Sequence, residues 1–279
     1  MSHNDALEVD QYCPLPNGSK LHYGIRGQGT PILLIMGFMA RGRAWRSQIE
    51  AFAPHFSVVW FDHRGVGDSP GPAAKTMVEF AEDCCALMDH LNWDKAHVVG
   101  ISMGGMIAQE FALKEPKRVL SLTLIVTHYG GWSKILPTRL GLARFFRAQF
   151  ARTPQKRLEA LKDLLVPKQV SEEANLEELF RKLTEDFTPK PPASTRFRHF
   201  RAILRHRTQK RLKHLSCPTL VVQAQEDLLI HPKHSEALAA EIPKARLLSF
   251  AQAGHGIVRQ SNIELSDKLK EHFTQNSHA

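Results

Sequence analysis

The stretch from Lys95 to Glu115, KAHVVGISMGGMIAQEFALKE, constrains the fold more than any other part of the chain. Its first third, KAHVVGI, is a short β-branched apolar run, which is typical of a strand buried on both faces. Its last part, MGGMIAQEFALKE, spaces apolar residues as an amphipathic helix does and ends before Pro116, which rarely continues a helix. Between them lies Ser102 in the pattern Gly-x-Ser-x-Gly. The stretch predicts a strand, a sharp turn at Ser102 and a helix.

Strand-like and helical patterns alternate along much of the remaining chain. Apolar, β-branched runs lie at 20–26, 31–36, 56–61, 119–126, 218–224 and 245–250. Helical patterns lie at 77–93, 233–242 and 264–273. This alternation predicts an α/β fold with a mostly parallel sheet covered by helices on both faces. The opening strands follow one another through short loops, so we expect that edge of the sheet to be antiparallel.

The alternation stops between residues 128 and 214. This segment is helical in pattern, is interrupted by prolines and carries 20 Lys and Arg against 8 Asp and Glu. Because it leaves the core after one strand and returns before the next, we expect it above the carboxyl ends of the strands, where open α/β sheets bind ligands. We therefore divide the chain into a core, residues 1–127 and 215–279, and an inserted helical lid, residues 128–214.

Length and composition narrow the class of protein. A chain of 279 residues with 43% hydrophobic residues can bury a sizeable core. The first ten residues lack the basic and apolar regions of a signal peptide, and no apolar run reaches the length of a membrane span. Cys13, Cys84, Cys85 and Cys217 lack metal-ligand spacing, which favours reduced structural thiols, with a redox pair of Cys84 and Cys85 as the alternative. We expect a soluble, cytoplasmic protein without metal or cofactor.

Two serines have the spacing Gly-x-Ser-x-Gly, because GDSPG contains Ser69 in the same pattern. When such a turn is catalytic, the backbone N–H of the residue after the serine helps to bind a developing oxyanion. Pro70 follows Ser69 and has no N–H. Met103 follows Ser102 and has a free N–H at a helix N-terminus, where the helix dipole also favours negative charge. Ser102 is the predicted nucleophile and Ser69 a turn residue.

A serine nucleophile needs a histidine base and an acid that orients the histidine. In one known chain order the acid and then the histidine follow the serine. Asp227 comes directly after one strand-like run and His255 after the next, which brings both to the edge of the sheet that carries Ser102. The loop after the strand ending at Val126 is the other common position for the acid and offers no carboxylate, so Asp227 is the predicted acid and Glu226 a distant second choice. We predict the triad Ser102, Asp227 and His255.

The loop GFMARGRAW after the run at 31–36 is the predicted source of the second oxyanion donor. Gly37 permits the turn, and the N–H of Phe38 would act together with that of Met103. Gly37, Phe38, Met39 and Met103 are the predicted walls of the substrate pocket. The segment FDHRGVGDSP at 61–70 is interpreted as a hydrogen-bonded loop that braces this oxyanion loop.

The motifs VVGISMGGMIAQ, FDHRGVGDSP, LLIMGF, EDLLIHP and AGHG together resemble the α/β-hydrolase superfamily. The phrase GISMGGMIAQ is similar to esterases and lactonases related to 3-oxoadipate enol-lactonase. The likeness covers about residues 18–127 and 215–275 and does not include the lid. It implies an α/β-hydrolase fold and hydrolysis at Ser102. One departure is that Met36 stands before Gly37, where the family often has histidine.

These patterns predict a serine hydrolase that cleaves a carboxylic ester, lactone or thioester through an acyl-enzyme. The alternatives left open are carbon–carbon bond hydrolysis, perhydrolysis or acyl transfer on the same fold, and a ligand receptor without catalysis. The expected partner is a small-molecule acyl substrate, and the basic lid favours an anionic one as a hypothesis. No nucleic-acid motif accompanies the basic segment, so nucleic-acid binding is not expected. The sequence does not indicate an oligomeric state.

Overall fold

The protein is described from a computed structural model that covers residues 11–131, 137–168 and 176–277. Residues 1–10, whose composition carried the expectation about a signal peptide, lie outside the described residues. The described part of the chain contains no helix that is long and apolar enough to cross a membrane.

Eight strands form one sheet. Their bounds are β1 Gln11–Pro14, β2 Lys20–Arg26, β3 Thr30–Ile35, β4 Phe56–Phe61, β5 Ala96–Ile101, β6 Val119–Ile125, β7 Thr219–Ala224 and β8 Arg246–Phe250. The order across the sheet is β1-β2-β4-β3-β5-β6-β7-β8. The pairs β1/β2 and β2/β4 are antiparallel and all the others are parallel. The predicted mostly parallel sheet with an antiparallel edge is confirmed.

Helices cover both faces of the sheet and fill the insertion. Those of the core are α1 Arg46–Phe52, α2 Met77–His90, α3 Met103–Lys114, α9 Pro232–Glu241, α10 Ile257–Gln260 and α11 Asn262–Gln275. Those between β6 and β7 are α4 Arg139–Phe150, α5 Pro154–Leu165, α6 Leu176–Phe187, α7 Ala193–Arg205 and α8 Gln209–Leu212. Short 3₁₀ turns lie at Gly42–Trp45 and Pro116–Arg118.

Residue alternation in the central strands builds two apolar layers. Leu33 and Ile35 of β3 belong to the cluster that includes α2 and α3, whereas Ile32 and Leu34 belong to the cluster with α1 and α11. Successive side chains of a strand point to opposite faces, so a run of consecutive apolar residues is what a sheet covered on both sides requires. The strands therefore hold their carboxyl ends, and the loops that follow them, in fixed positions.

The sequence predicted seven of the eight strands to within one residue at either end, and β1 was not predicted. β1 is a four-residue edge strand that contains Pro14, and both shortness and proline weaken the strand pattern. The expected helices at 77–93, 233–242 and 264–273 were confirmed as α2, α9 and α11, with ends shifted by one to three residues. All four cysteines are free, and Cys13, Cys84 and Cys217 are buried.

Candidate active site

Ser102 lies at the turn between β5 and α3 with a strained backbone, φ 54° and ψ −119°. A positive φ is uncommon for a residue other than glycine and costs about 1–3 kcal/mol, so the surrounding structure must hold it. The Ser102 N–H donates to the carbonyl of Ile125 at 2.9 Å, and the Thr127 hydroxyl donates to the carbonyl of Ser102 at 2.7 Å. Both partners come from the end of β6. The neighbouring strand thus fixes the turn.

Glycines allow the backbones around Ser102 to approach closely. A Cβ atom at Gly100 would lie 2.3 Å from the carbonyl oxygen of Gly104. A Cβ atom at Gly104 would lie 2.1 Å from the carbonyl oxygen of Ile35. These distances are shorter than any van der Waals contact, so both positions require glycine. The N-terminus of α3 therefore packs directly against the carboxyl end of β3.

Asp227 and His255 are in contact, as the sequence predicted. Asp227 follows β7, His255 follows β8, and His255 Nδ1 lies 2.7 Å from Asp227 Oδ2. The other carboxylate oxygen, Oδ1, accepts the N–H groups of Leu229 at 2.7 Å and Ile230 at 2.9 Å. Both side chains are buried, whereas Glu226 is exposed and makes no contact with the ring. The structure thus pairs Asp227, and not Glu226, with His255.

The loop that carries His255 is attached to the insertion. The N–H of Gly256 donates to the carbonyl of Leu165, the last residue of α5, at 2.8 Å. The side chain of Gln260 donates to the same carbonyl at 2.7 Å and accepts the N–H of Gly254 at 2.8 Å. Both glycines that flank His255 are therefore held by hydrogen bonds, which fix the position of the imidazole.

The loop after β3 lies against Ser102. A Cβ atom at Gly37 would lie 3.2 Å from Ser102 Cβ, which places this backbone next to the hydroxyl. The N–H groups of Phe38 and Met103 donate to no carbonyl of the described residues and remain available to a ligand. His63 Nε2 lies 2.8 Å from the carbonyl oxygen of Met36, so the ring carries its hydrogen on Nε2 and holds this loop from below. Burial lowers the pKa of His63, which keeps that ring neutral.

A cavity of about 650 Å³ opens beside Ser102 and His255, and both residues line it. Gly37, Phe38 and Met39 also line it, as expected. The prediction that Met103 walls the pocket was wrong for its side chain, which is fully buried in the apolar layer beneath α3. Met106, one helical turn later, lines the cavity instead. Among the described residues, the Ser102 hydroxyl makes no hydrogen bond to His255, a contact that often tightens only when substrate binds.

A family model for the α/β hydrolase fold matches residues 30–258. The chain belongs to the α/β-hydrolase fold family. The nucleophile elbow of this fold is a sharp, strained turn from a strand into a helix, and Ser102 lies at such a turn between β5 and α3.

Three known proteins are similar to the chain in sequence or in fold. The chain is 34% identical over 244 residues to a protein of Azorhizobium caulinodans named "putative carbamate hydrolase RutD", covering 84% of this chain and 88% of that protein. A thermophilic esterase of Thermogutta terrifontis superposes with a TM-score of 0.80 and 26% identity, covering 95% and 98% of the two chains. An enol-lactonase of Burkholderia xenovorans has the same fold, with a TM-score of 0.81, 22% identity and coverage of 95% and 100%.

Ser69, the second serine with the elbow spacing, has a structural position in this hydrolase. Its hydroxyl donates to the carbonyl of Asp62 at 2.6 Å and accepts the N–H of His22 at 2.8 Å. The Asp62 carboxylate in turn accepts the N–H of Gly42 at 2.6 Å and pairs with Arg41, and both of these residues belong to the loop GFMARGRAW after β3. The segment 61–70 therefore braces that loop, as interpreted from the sequence.

The cavity is lined mainly by apolar side chains of the core loops and of the insertion. From the insertion come Leu142, Phe145, Phe146, Leu161, Leu164, Phe200 and Leu204. In the part of the lining that the structure describes, Arg259 is the one Arg or Lys, and it forms an ion pair with Asp186 of α6. Burial raises the pKa of Asp186, and Arg259 opposes this shift. The Lys and Arg side chains in the described part of the lid therefore do not line the cavity.

The sequence analysis missed three titratable residues of the described lining. Asp186 and Arg259 are 73 positions apart and lie in no motif, so nothing in the sequence pairs them. His128 follows β6, in a loop that the sequence analysis considered only as a possible source of a carboxylate. Its Nδ1 accepts the N–H of Gly130 at 3.0 Å, and burial, with His234 and His255 nearby, lowers its pKa to about 3. His128 is therefore neutral and presents a polar edge to the cavity.

Proposed function

We propose that the protein is a serine hydrolase that cleaves carboxylic esters, lactones or thioesters through an acyl-enzyme on Ser102. The observation that carries the proposal is the strained serine after β5, in one cavity with a histidine whose Nδ1 lies 2.7 Å from a buried aspartate. Family membership supports hydrolysis, and the roles of the individual residues are our assignment.

The proposed reaction starts with proton transfer from the Ser102 hydroxyl to His255 Nε2, while the serine oxygen attacks the acyl carbonyl. His255 can accept this proton because its Nδ1–H donates to Asp227, which leaves Nε2 with a free lone pair. The carbonyl oxygen becomes an oxyanion, and the N–H groups of Phe38 and Met103 stabilise it.

His255 then donates the proton to the leaving group, and the acyl chain remains on Ser102. Water attacks the acyl-enzyme with His255 again as the base, and the carboxylic acid leaves. Asp227 stays ionised throughout and stabilises the imidazolium, a role supported by the two backbone N–H groups that its Oδ1 accepts.

The cavity favours an uncharged, apolar acyl group. A volume of about 650 Å³ is that of a site for a medium-sized ligand, and its lining is mainly leucine and phenylalanine. Each methylene group buried there contributes about 0.8 kcal/mol, or roughly a fourfold gain in kcat/KM. The anionic substrate expected from the charge of the lid would find one cation in this lining, Arg259, already paired with Asp186.

The first experiment is labelling with a fluorophosphonate probe in the wild type, Ser102→Ala and Ser69→Ala. We expect labelling to be lost only in Ser102→Ala, since Ser69 is buried and its hydroxyl both donates and accepts a hydrogen bond. A folded wild type that neither labels nor turns over esters would contradict the proposal. The substrate class is then tested with p-nitrophenyl esters of increasing acyl length and a matched anionic monoester of a dicarboxylic acid. A higher kcat/KM for the anionic ester at low salt would overturn the proposed preference for an uncharged acyl group.

A second candidate is hydrolysis of a carbamate, which the name of the relative at 34% identity favours. The same serine, histidine and oxyanion donors could attack a carbamate carbonyl. An aryl ester and an aryl N-alkylcarbamate of equal length separate the two, and a higher kcat/KM for the carbamate would make it the favoured substrate.

A further inference from the structure

The outer surface of the lid helices α4 and α7 is unusually apolar. Seven of the eleven large apolar side chains that are exposed in the described part of the chain lie on these two helices: Leu140, Leu142, Phe146, Phe150, Phe197, Phe200 and Leu204. Phe150 is 76% exposed and Phe197 is 65% exposed. Contiguous apolar groups on a protein surface commonly mark an interaction site. We call the exposed side chains of α4 and α7 the lid surface.

The charged residues of α4 and α7 are all basic. α4 and α7 together contain seven arginines and no Asp or Glu. Arg144 and Arg147 contact Asp163 of α5, and Arg198 donates to the carbonyl of Ala73. Within the described ranges, Arg139, Arg201 and Arg205 form no ion pair. The helices thus present arginines without counter-ions between exposed aromatic and leucine side chains.

The lid surface is continuous with the mouth of the cavity. Phe145 of α4 and Phe200 of α7 stack with their ring centroids 6.3 Å apart, which joins the two helices side by side. Leu142, Phe146 and Leu204 are exposed and at the same time line the cavity. The apolar side chains of the lid surface are therefore continuous with the apolar lining of the cavity.

We propose that the lid surface docks on an anionic lipid surface. Helices that present phenylalanine and leucine beside arginine lie at the boundary between lipid headgroups and acyl chains, and each basic residue near anionic lipid strengthens binding about fivefold. Pairing with a second copy of the same surface would bring Arg139, Arg201 and Arg205 of both copies together, without an acidic residue on α4 or α7 to pair with them. A nucleic acid would neutralise the arginines but would leave the leucines at the cavity mouth exposed to water.

The experiment is co-sedimentation with phosphatidylcholine vesicles, with and without phosphatidylglycerol. All proteins carry Ser102→Ala, so lipid hydrolysis plays no part and the result does not depend on the proposed function. We expect binding only to vesicles that contain phosphatidylglycerol, and we expect added salt to weaken it. Arg201→Glu with Arg205→Glu should lower the partition coefficient at least about 25-fold, from about fivefold for each arginine. Phe150→Ser with Phe197→Ser should lower it at least about tenfold for each ring that inserts.

Matched controls carry the same changes elsewhere. Ile263→Ser removes an apolar side chain that is 74% exposed on α11. Arg26→Glu reverses an exposed cation at the end of β2, beside the start of β4. Both should bind vesicles as the parent does. Phe150 and Phe197 do not line the cavity, so the Phe150→Ser, Phe197→Ser pair made with Ser102 intact should retain turnover of a short soluble ester, which reports on folding.

Several outcomes would overturn the proposal. They are no binding to anionic vesicles by the folded parent, equal binding to neutral vesicles, or an equal loss in the control variants. A dimer of the parent in sedimentation velocity without lipid, absent in the Phe150→Ser, Phe197→Ser double variant, would also overturn it. The lid surface would then bind a second copy of the chain. Binding of a single-stranded oligonucleotide with the same dependence on Arg201 and Arg205, and no vesicle binding, would assign the surface to nucleic acid.

Discussion

Replacing Asp227 with asparagine tests the proposed base most directly, because the structure determines how the new amide must sit. The carboxylate accepts three hydrogen bonds, from the N–H groups of Leu229 and Ile230 and from His255. If the amide nitrogen faced the backbone, two buried N–H donors would lose their acceptor, at about 1–3 kcal/mol each. The amide oxygen therefore stays on the side of Leu229 and Ile230, and the amide nitrogen faces His255.

This orientation changes the tautomer of the His255 imidazole. An amide N–H donor opposite Nδ1 forces that nitrogen to accept, so the ring hydrogen moves to Nε2, which can no longer take the proton of Ser102. A wrong tautomer in a triad of this kind lowers kcat by about 10⁴-fold, equivalent to about 5.5 kcal/mol in the barrier. Stability changes much less, by about 1–2 kcal/mol, because all three hydrogen bonds are kept and lose only the negative charge of the carboxylate.

The assay is kcat/KM for the preferred ester at pH 8, together with the unfolding temperature. The matched control is Asp83→Asn, which makes the same change at another buried carboxylate. Asp83 lies on α2 and accepts a hydrogen bond from Arg64 Nε at 2.8 Å. We expect Asp83→Asn to lose stability and keep its activity. A folded Asp227→Asn protein within tenfold of wild type, or an equal loss in Asp83→Asn, would refute the argument.

Two further predictions concern stability. Among the described residues, neither ring nitrogen of the buried His199 has a hydrogen-bond partner, and burial lowers its pKa to about 3. Unfolding below about pH 6.5 therefore takes up a proton, so the free energy of unfolding falls on acidification. Urea unfolding should therefore show that the free energy of unfolding drops between pH 7 and pH 5 by about 2 kcal/mol more in wild type than in His199→Phe, while the exposed His214→Phe leaves the drop unchanged. Gly104→Ala should cost at least about 1–3 kcal/mol, since its Cβ would lie 2.1 Å from a backbone oxygen of Ile35, and a calorimetric unfolding temperature equal to that of wild type would contradict the proposed close packing.

The sequence was most informative where local chemistry and burial agree. Central strands such as β4 and β5 are recognisable because strands covered on both faces must be apolar throughout. Asp227 and His255 were paired correctly because each follows a strand, and parallel strands bring their carboxyl ends to one edge. Pro70 decided between Ser102 and Ser69, because a proline after the serine has no N–H to bind an oxyanion, whereas Met103 has one.

The remaining features depend on how helices pack, which sequence patterns specify weakly. Met103 adjoins the nucleophile in sequence, yet as the first residue of α3 its side chain points into the core, and Met106 reaches the cavity instead. The pairing of Asp186 with Arg259 depends on how α6 crosses α10. The charge of the lid suggested an anionic substrate because composition does not say which face of a helix a residue occupies.

The carbonyl of Leu165 bears on how such a hydrolase can change its specificity. It belongs to the inserted segment, yet it accepts hydrogen bonds from Gly256 and Gln260, which flank or follow the histidine of the core. The insertion therefore cannot be exchanged without removing hydrogen bonds that hold the loop of His255. A chimera that receives the lid of a relative would acquire a new pocket and a displaced imidazole together, so substrate range in this lineage is expected to shift by single substitutions within α4, α5 and α7.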